Sequence, residues 1–152
     1  MLGPFADCCG FKSIHISRFG VIPKGNNTGK RRLITDLSYP PGYSVNDGID
    51  PNICSLRYTT VEDVASVCAI LGPNTMIAKV DIESAYRLVP VHPEDSPLLG
   101  VKWREKFYID PMLPFGLRLA PKIFNALADA LEWRLREDEV RNVFHYLDDF
   151  VV

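Results

Sequence analysis

Two adjacent aspartates, Asp148 and Asp149, stand between apolar residues in the segment VFHYLDDFVV. Neighbouring carboxylates repel, and a pair flanked by apolar strands is costly unless it is solvated or bound to cations. A third acid, Asp81, ends the apolar run TMIAKVD. If the two segments pair side by side, three carboxylates converge, and hard oxygen ligands of this kind suit Mg²⁺. The alternative is a solvated Asp-Asp turn and an ordinary acid at a strand end.

A basic segment could supply a partner for such ions. Lys24 and Arg32 flank a loop that is rich in Gly and Asn. Arg binds phosphate with a bidentate fork and Lys binds it as a point charge, so this segment could close over a triphosphate. Two metal ions about 3.5–4 Å apart would then clamp the oxygens of an in-line phosphoryl transfer. A solvated basic hairpin is the alternative explanation.

Strands and helices follow one another without strict βαβ repetition, which predicts the α+β class. A final hairpin is predicted to carry the acid pair at its tip, and residues 38–58, rich in Pro, Gly, Asn and Asp, are predicted to be irregular. The other predicted strands cover residues 17–23, 31–36, 75–82, 86–91, 99–103 and 106–110.

Two helices are predicted from apolar periodicity. The first covers residues 61–71, with Thr60 as N-cap and Asp63 three residues later. Cys68 within it is expected to be a small buried hydrophobe. The second covers residues 121–136. Its predicted apolar stripe consists of Phe124, Leu127, Ala128, Leu131 and Leu135.

The composition of the 152 residues is that of a globular protein, with 47% hydrophobic and 24% charged residues, which excludes a disordered chain, a fibre and a coiled coil. A net charge of −2 does not by itself indicate a nucleic-acid binder. The four cysteines have no metal-ligand spacing, and no apolar run reaches the length of a membrane span. We therefore expect no zinc site, no disulfide framework, no membrane partner and an intracellular setting, whether cytoplasm or nucleus.

Four motifs in order resemble those of reverse transcriptases. RRLITDL is similar to the fingers strand that carries a triphosphate-binding Arg, and KVDIESAY to the first catalytic motif, an Asp followed five residues later by an aromatic. LPFGLRLAPKIFN is similar to the segment that lines the nucleotide pocket, and YLDD to the Tyr-x-Asp-Asp hairpin. The resemblance runs from about Phe19 to Val152 and implies fingers and a palm, with an antiparallel palm sheet and packed helices.

The resemblance implies an RNA-directed DNA polymerase that joins a deoxynucleoside triphosphate (dNTP) to a primer 3′-hydroxyl on an RNA or DNA template. Asp81 and Asp148 would be the principal ligands of two Mg²⁺ ions, for which Mn²⁺ can substitute. Asp149 would be the third acid of the site, and the backbone carbonyl of Ile82 would complete a metal shell.

The resemblance also implies a nucleotide-binding set. Tyr86 would be a steric gate, because a ring under the sugar leaves no space for a 2′-hydroxyl; the alternative is an aromatic residue of the core. The other members would be Arg32 and Lys24 at the triphosphate, the backbone N–H groups of Ser84 and Ala85 at phosphate oxygens, and Phe115 and Gly116 beside the new base pair.

The chain is interpreted as one partial domain, with residues 12–60 as fingers and residues 61–152 mainly as palm. The sequence ends three residues after Asp149. We therefore expect truncation after the catalytic hairpin, with the thumb and ribonuclease H of a polyprotein missing, and we expect the isolated chain to be inactive in processive synthesis. The sequence does not indicate an oligomeric state.

The type of element and one rival function stay open. The form LPFGL…AP is typical of long-terminal-repeat retrotransposons, whereas DLSYPPGYSVNDGI resembles the DIRS group of tyrosine-recombinase retrotransposons. The rival is a catalytically inactive transposon-derived fragment that at most binds nucleic acid. An RNA-dependent RNA polymerase is disfavoured by Tyr86, and an unrelated Mg²⁺-dependent phosphohydrolase leaves LPFGLRLAP unexplained.

Overall fold

The protein is described by a computed structural model that covers residues 1–5, 11, 13–23, 29 and 31–152. It divides into two compact units, each discontinuous in sequence. The first unit comprises Met1–Ile53 and Tyr86–Ala120, and the second comprises Cys54–Ala85 and Pro121–Val152. Antiparallel strands and helices occur together, which confirms the predicted α+β class. The predicted limits of fingers and palm stay a prediction.

The first unit contains an antiparallel strand pair. Strand β2 (Arg18–Pro23) pairs with β3 (Arg31–Asp36) along its whole length, which confirms two of the predicted strands. Most of their side chains are exposed. The ring of Phe19 lies edge-on to that of Trp103, with 5.7 Å between the ring centroids.

A three-stranded antiparallel sheet completes the first unit. Its central strand β6 (Lys106–Ile109) lies between β5 (Gly100–Trp103) and β1 (Leu2–Phe5). The two predicted strands at β5 and β6 are confirmed, and the turn between them has left-handed backbone at Arg104 and Glu105, as two-residue hairpins favour. Strand β1 was not predicted, because it contains Gly and Pro, but an edge strand tolerates the missing N–H of Pro.

The predicted strand over residues 86–91 is wrong. Ala85–Leu88 form a 3₁₀ turn, and the N–H of Val89 donates to the carbonyl of Tyr86 at 3.2 Å. Pro90 makes an isolated antiparallel bridge. Because proline cannot donate to a strand ladder, the segment begins with a locally bonded turn and then pairs with residues 111–113 only through an isolated bridge.

The second unit contains a sheet in the order β4-β8-β7, with both pairings antiparallel. The strands are β4 (Lys79–Asp81), β7 (Phe144–Tyr146) and β8 (Asp149–Val151), and the predicted hairpin is therefore confirmed. The predicted strand over residues 75–82 is only partly correct. Its first residues lie outside the strand, and the Met76 side chain is 92% exposed, so the apolar run is not all core.

Both predicted helices are confirmed, as α1 (Val61–Leu71) and α2 (Ala120–Glu137). Thr60 caps α1 as predicted: its hydroxyl accepts from the N–H of Asp63, and the Asp63 carboxylate accepts from the N–H of Thr60, which is a capping box.

The burial of the helices differs from the prediction. In α2, Phe124 and Ala128 are fully buried, whereas Leu127 and Leu131 are 37% and 40% exposed, so the buried stripe is narrower than the apolar one. Helix α1 has no fully buried residue, and Cys68 is half-buried rather than buried. Apolar residues of α1 such as Ile70 and Val61 lie in solvent, so apolar character does not mark the buried face of this helix.

No helix among the described residues combines the length and the apolar character that crossing a bilayer requires.

The capping box makes the stability of the chain depend on pH. The hydrogen bonds from the Thr60 backbone and hydroxyl hold the pKa of Asp63 below its ordinary value of 3.8. A depressed pKa stabilises the fold above the unfolded value, and this stabilisation disappears as the pH falls through the folded value. Asp63→Asn should therefore be less stable than the parent at pH 7. Urea unfolding at pH 7 and pH 3 should show the difference shrinking in acid, and a pH-independent difference would contradict this.

Candidate active site

Strand pairing brings the predicted acids of the second unit together at the backbone. Asp81, the last residue of β4, is directly opposite Asp149, the first residue of β8. Asp148 lies in the two-residue turn before β8, and its carbonyl accepts from the N–H of Ile82 at 2.9 Å. The four residues predicted to ligate metal therefore have neighbouring backbone positions where the end of β4 meets the start of β8.

The turn that carries Asp148 is strained. Leu147 has φ of 54°, in the left-handed region that residues with a Cβ rarely adopt. A two-residue hairpin turn of this kind requires a positive φ at its first position, and Gly or Asn is the usual occupant. The cost is offset by the pairing of β7 and β8 on either side, so the chain holds Asp148 in a fixed place.

A lysine neutralises part of this charge. The ammonium of Lys79 lies 2.9 Å from the Asp149 carboxylate. The hydrogen bond and the charge of Asp149, with smaller contributions from Asp81 and Asp148, raise the pKa of Lys79 above its ordinary 10.5. Lys79 therefore stays charged at neutral pH and acts as an internal counter-ion for the acids.

The acidic hairpin is held by residues that the sequence analysis missed. His145 of β7 is buried, and its Nδ1 lies 2.7 Å from a carboxylate oxygen of Glu132 in α2. Glu132 also binds Arg136 at 2.6 Å, and Arg136 donates to the carbonyl of Val143 at 3.0 Å. Tyr146 packs against Tyr58 with ring centroids 4.8 Å apart. The sequence offered one signal for this contact, since His145 lies just before the acidic turn and Glu132 lies on the preceding predicted helix.

The donor set suits a divalent cation by its chemistry. Three carboxylates and the Ile82 carbonyl are hard oxygen ligands, which Mg²⁺ and Mn²⁺ prefer. Among the described residues, however, no group of three or more His, Cys, Asp or Glu side chains is arranged so that it could hold a metal ion. Asp149 is instead paired with Lys79. Binding of an ion by Asp149 would therefore require the Lys79 ammonium to move away from this carboxylate.

The first unit contains the predicted triphosphate-binding arginine. Arg32 is an exposed residue of β3 and lines a cavity of about 280 Å³ together with Thr35, Arg87, Asp110 and Phe115, among others. A basic residue at a cavity wall is suitable for an anion. Lys24 lies outside the described residues.

Tyr86 and Phe115 are in contact within the first unit. Their ring centroids are 5.0 Å apart, and their planes are inclined by 36°. Tyr86 is half-buried, whereas Phe115 is 51% exposed. Gly116, the next residue, has φ of +94°, and a Cβ on it would lie 3.1 Å from the Thr35 carbonyl. Glycine is therefore required here both for backbone conformation and for the close approach of β3.

A buried asparagine holds this turn, and it was not predicted. The Asn46 amide donates to the Gly116 carbonyl at 2.9 Å and to the Ser38 hydroxyl at 2.8 Å. Its oxygen accepts from the N–H of Arg118 at 2.7 Å. Asn46 lies in the segment that was predicted only to be irregular. The clustering of Ser, Asn and Asp there indicated local turns but not a contact 70 residues away.

Ser84 and Ala85, predicted to contact phosphate, belong to the second unit. Ser84 is exposed and has φ of 60°, and Ala85 is buried. The N–H of Ala85 donates to the Ile82 carbonyl at 3.3 Å, so two groups that were assigned to ligands form a long hydrogen bond with each other.

Residues 22–152 match the family described as reverse transcriptase (RNA-dependent DNA polymerase). The chain belongs to this family. Reverse transcriptases generally bind a template and a primer. They also generally use divalent metal ions, and the oxygen donors described above are of the type that such ions prefer.

Relatives of known identity are polyproteins of transposons. The chain is 26% identical to the transposon Tf2-3 polyprotein of Schizosaccharomyces pombe over 141 residues, and 24% identical to the Tf2-7 polyprotein of the same organism. In both cases the match covers 93% of this chain and 10% of the relative. This reverse transcriptase chain therefore spans about a tenth of the length of the curated relatives that it matches.

Solved structures confirm the predicted fold of fingers and palm. The native protease-reverse transcriptase of prototype foamy virus matches with a TM-score of 0.63 and 24% identity, over 92% of this chain and 17% of that one. A selenomethionine-labelled CSH mutant of the same protein gives a TM-score of 0.69 and 22% identity, over 93% of this chain and 17% of the other.

Lys79 provides a test of the acidic site. Lys79→Met should tighten Mn²⁺ binding severalfold, because an ion would no longer compete with the ammonium for Asp149. A titration of the 152-residue chain with Mn²⁺, followed by electron paramagnetic resonance, measures the affinity.

Lys102→Met is the matched control, since it removes one positive charge from an exposed ion pair of the first unit, 2.7 Å from Glu105. An unchanged affinity in Lys79→Met, or an equal increase in both variants, would show that Lys79 is not the competing cation.

Proposed function

We propose that this chain provides the nucleotidyl-transfer site of an RNA-directed DNA polymerase in a retrotransposon polyprotein. The primer 3′-hydroxyl would attack the α-phosphate of a dNTP, and pyrophosphate would leave. The observation that carries the proposal is the register of β4 and β8, which places Asp81 opposite Asp149 and beside Asp148.

Asp81, Asp148, Asp149 and the Ile82 carbonyl are the proposed holders of two Mg²⁺ ions, for which Mn²⁺ would substitute. Ions bound there would lower the pKa of the attacking hydroxyl and offset the charge of the leaving group. The role of the protein is to keep these oxygens in place, and the support for it is the fixed turn at Asp148 and the attachment of β7 to α2 through Glu132.

The residues of the first unit are the proposed nucleotide contacts. Arg32, with Lys24, would bind the triphosphate, and Tyr86 would exclude a 2′-hydroxyl. Phe115 and Gly116 would lie beside the new base pair. The contact between the Tyr86 and Phe115 rings and the exposed guanidinium of Arg32 support these roles. The backbone N–H groups of Ser84 and Ala85, in the second unit, are proposed to reach phosphate oxygens.

The partners and the type of element follow from the same proposal. We infer an RNA or DNA template with its primer, and the remainder of a polyprotein, because the Tf2 relatives are about ten times longer than the match. The motif LPFGL…AP favours a long-terminal-repeat retrotransposon. The DIRS-group assignment rests on DLSYPPGYSVNDGI alone, and an intracellular setting remains a prediction.

Asp148→Asn tests the transfer reaction. If several kcal/mol of transition-state stabilisation depend on bound ions, the variant should lose synthesis on the order of a hundredfold or more. Primer extension on poly(rA)·oligo(dT) with Mn²⁺ measures it, with the chain alone and within its complete reading frame. Without metal the variant should be as stable as the parent or more so, because one repelling charge is gone.

Asp138→Asn is the control for Asp148→Asn, since it removes an exposed acid that pairs only locally with Arg134 at 2.6 Å. Synthesis that survives Asp148→Asn would contradict the proposed transfer site. If the parent makes no DNA in either context, the rival interpretation, a fragment that at most binds nucleic acid, is favoured; the Lys79–Asp149 pair is the observation that supports it.

Tyr86→Ala tests sugar selection. Removal of the ring should raise ribonucleotide incorporation by about tenfold or more, since small changes in pocket volume are worth 10–200-fold in discrimination. Competition between dGTP and GTP in the same extension assay measures the ratio. Tyr86→Phe keeps the ring and should discriminate like the parent. Equal discrimination by Tyr86→Ala and the parent would assign Tyr86 to packing.

A further inference from the structure

An ion pair of the first unit joins the two segments that carry Tyr86 and Phe115. The Arg87 guanidinium binds the Asp110 carboxylate through two hydrogen bonds of 2.7 Å, in the bidentate arrangement that fixes both distance and plane. The Asp110 side chain is 13% exposed and that of Arg87 33%. This pair is therefore the most enclosed one between arginine or lysine and an acid among the residues that the structure describes.

The pair belongs to a short network that leads to both rings. Arg87 directly follows Tyr86 in the 3₁₀ turn. Asp110 also accepts from the N–H of Met112 at 3.3 Å, and Arg87 donates to the Met112 carbonyl at 3.3 Å. Met112 lies three residues before Phe115, so the Arg87 guanidinium links the segment that carries Tyr86 to the segment that carries Phe115.

The two segments are also joined by their backbones. The N–H of Leu113 donates to the Val89 carbonyl at 2.8 Å, and the N–H of Val91 donates to the Pro111 carbonyl at 2.9 Å. These bonds hold the segments side by side but lie beyond Tyr86 along the chain. Arg87, the residue directly after Tyr86, makes side-chain hydrogen bonds to the opposite segment.

A partly buried ion pair is a poor source of stability, because apolar residues of similar volume serve as well. Its distinctive property is directional geometry, and Arg and Asp provide that here in a planar fork. The pair also lines the same cavity as Arg32 and Phe115. An ion pair that fixes the position of one wall of this cavity would affect which molecule fits in it.

We propose that Arg87 and Asp110 are positioning residues that set the separation of the Tyr86 and Phe115 rings and thereby the degree of discrimination against a 2′-hydroxyl. This inference rests on the proposed function of Tyr86 as the steric gate. Arg87 contacts no substrate in this scheme and acts only through its neighbour.

Arg87→Met tests the inference with two readouts. The first is the ratio of the dissociation constants of GTP and dGTP, measured at equilibrium with Mn²⁺, together with their incorporation ratio in primer extension. The second does not depend on activity: the NMR contact between the ring protons of Tyr86 and Phe115. We expect discrimination to fall about tenfold and the ring contact to weaken.

Four further variants make the result specific. Arg87→Lys keeps the charge but not the fork and should restore part of the discrimination. In a Tyr86→Ala background, Arg87→Met should change discrimination no further, since both act on one element. Lys102→Met removes a charge from an exposed pair of the same unit and should change neither readout. Asp110→Asn should behave like Arg87→Met, which protects the test against misfolding of a single variant.

The inference is overturned if the ring contact persists in Arg87→Met, or if dGTP and GTP are affected by the same factor while Tyr86→Ala relaxes discrimination. If Tyr86→Ala itself changes nothing, the proposed gate fails and the inference fails with it. The ring contact separates these cases, because it reports on position without reference to the nucleotide.

Discussion

The pairing register of β4 and β8 is the constraint on which the acidic residues of the second unit depend. Asp81, Asp148 and Asp149 occupy adjacent positions because β4 and β8 pair in a single register, and a shift by one residue would turn each side chain to the opposite face. Such a cluster is unfavourable in isolation. Lys79 lies against one of the acids, and β7 is tied to α2 through His145 and Glu132. The backbone pairing that places the acids is local, whereas the contacts that hold the hairpin come from several elements.

In the first unit, a buried asparagine holds a segment that was predicted to be irregular. The buried side chain of Asn46 makes hydrogen bonds to three groups, one of which is the carbonyl of Gly116. Buried amides with satisfied hydrogen bonds specify one arrangement, because any displacement leaves polar atoms unpaired. The turn at Gly116 is therefore held by polar contacts, beside buried apolar neighbours such as Leu113.

The sequence was sufficient for elements with strong local signals. Both helices were predicted to within a residue, because Thr60 and Asp63 form a capping box and because Pro121 suits a first helical turn. The strands near Arg32 and the hairpin with Asp148 were also predicted, since alternation and turn residues determine them locally. The matched family and the solved structures then confirmed the fold that the four motifs implied.

The sequence was insufficient where a contact joins distant segments. The apolar alternation around Val89 indicated a strand, but a 3₁₀ turn at Ala85–Leu88 and the missing N–H of Pro90 reduce the pairing to an isolated bridge. The partners of Asn46 and of Arg87 lie 70 and 23 residues away and leave no periodic trace. Lys79 was unremarkable in sequence, because its role depends on the register of β4 against β8.

The glycine at position 116 has a consequence for how this sequence can vary. Its φ of +94° disfavours any residue with a Cβ, and a Cβ there would lie only 3.1 Å from the carbonyl of Thr35, which belongs to the same strand as Arg32. A larger residue would strain the backbone at position 116 and press on the strand that carries Arg32 and Thr35, two residues that line the same cavity as Phe115. Position 116 is thus constrained by backbone geometry and position 115 by the contact of its ring with Tyr86, so the two neighbouring residues restrict variation for different physical reasons.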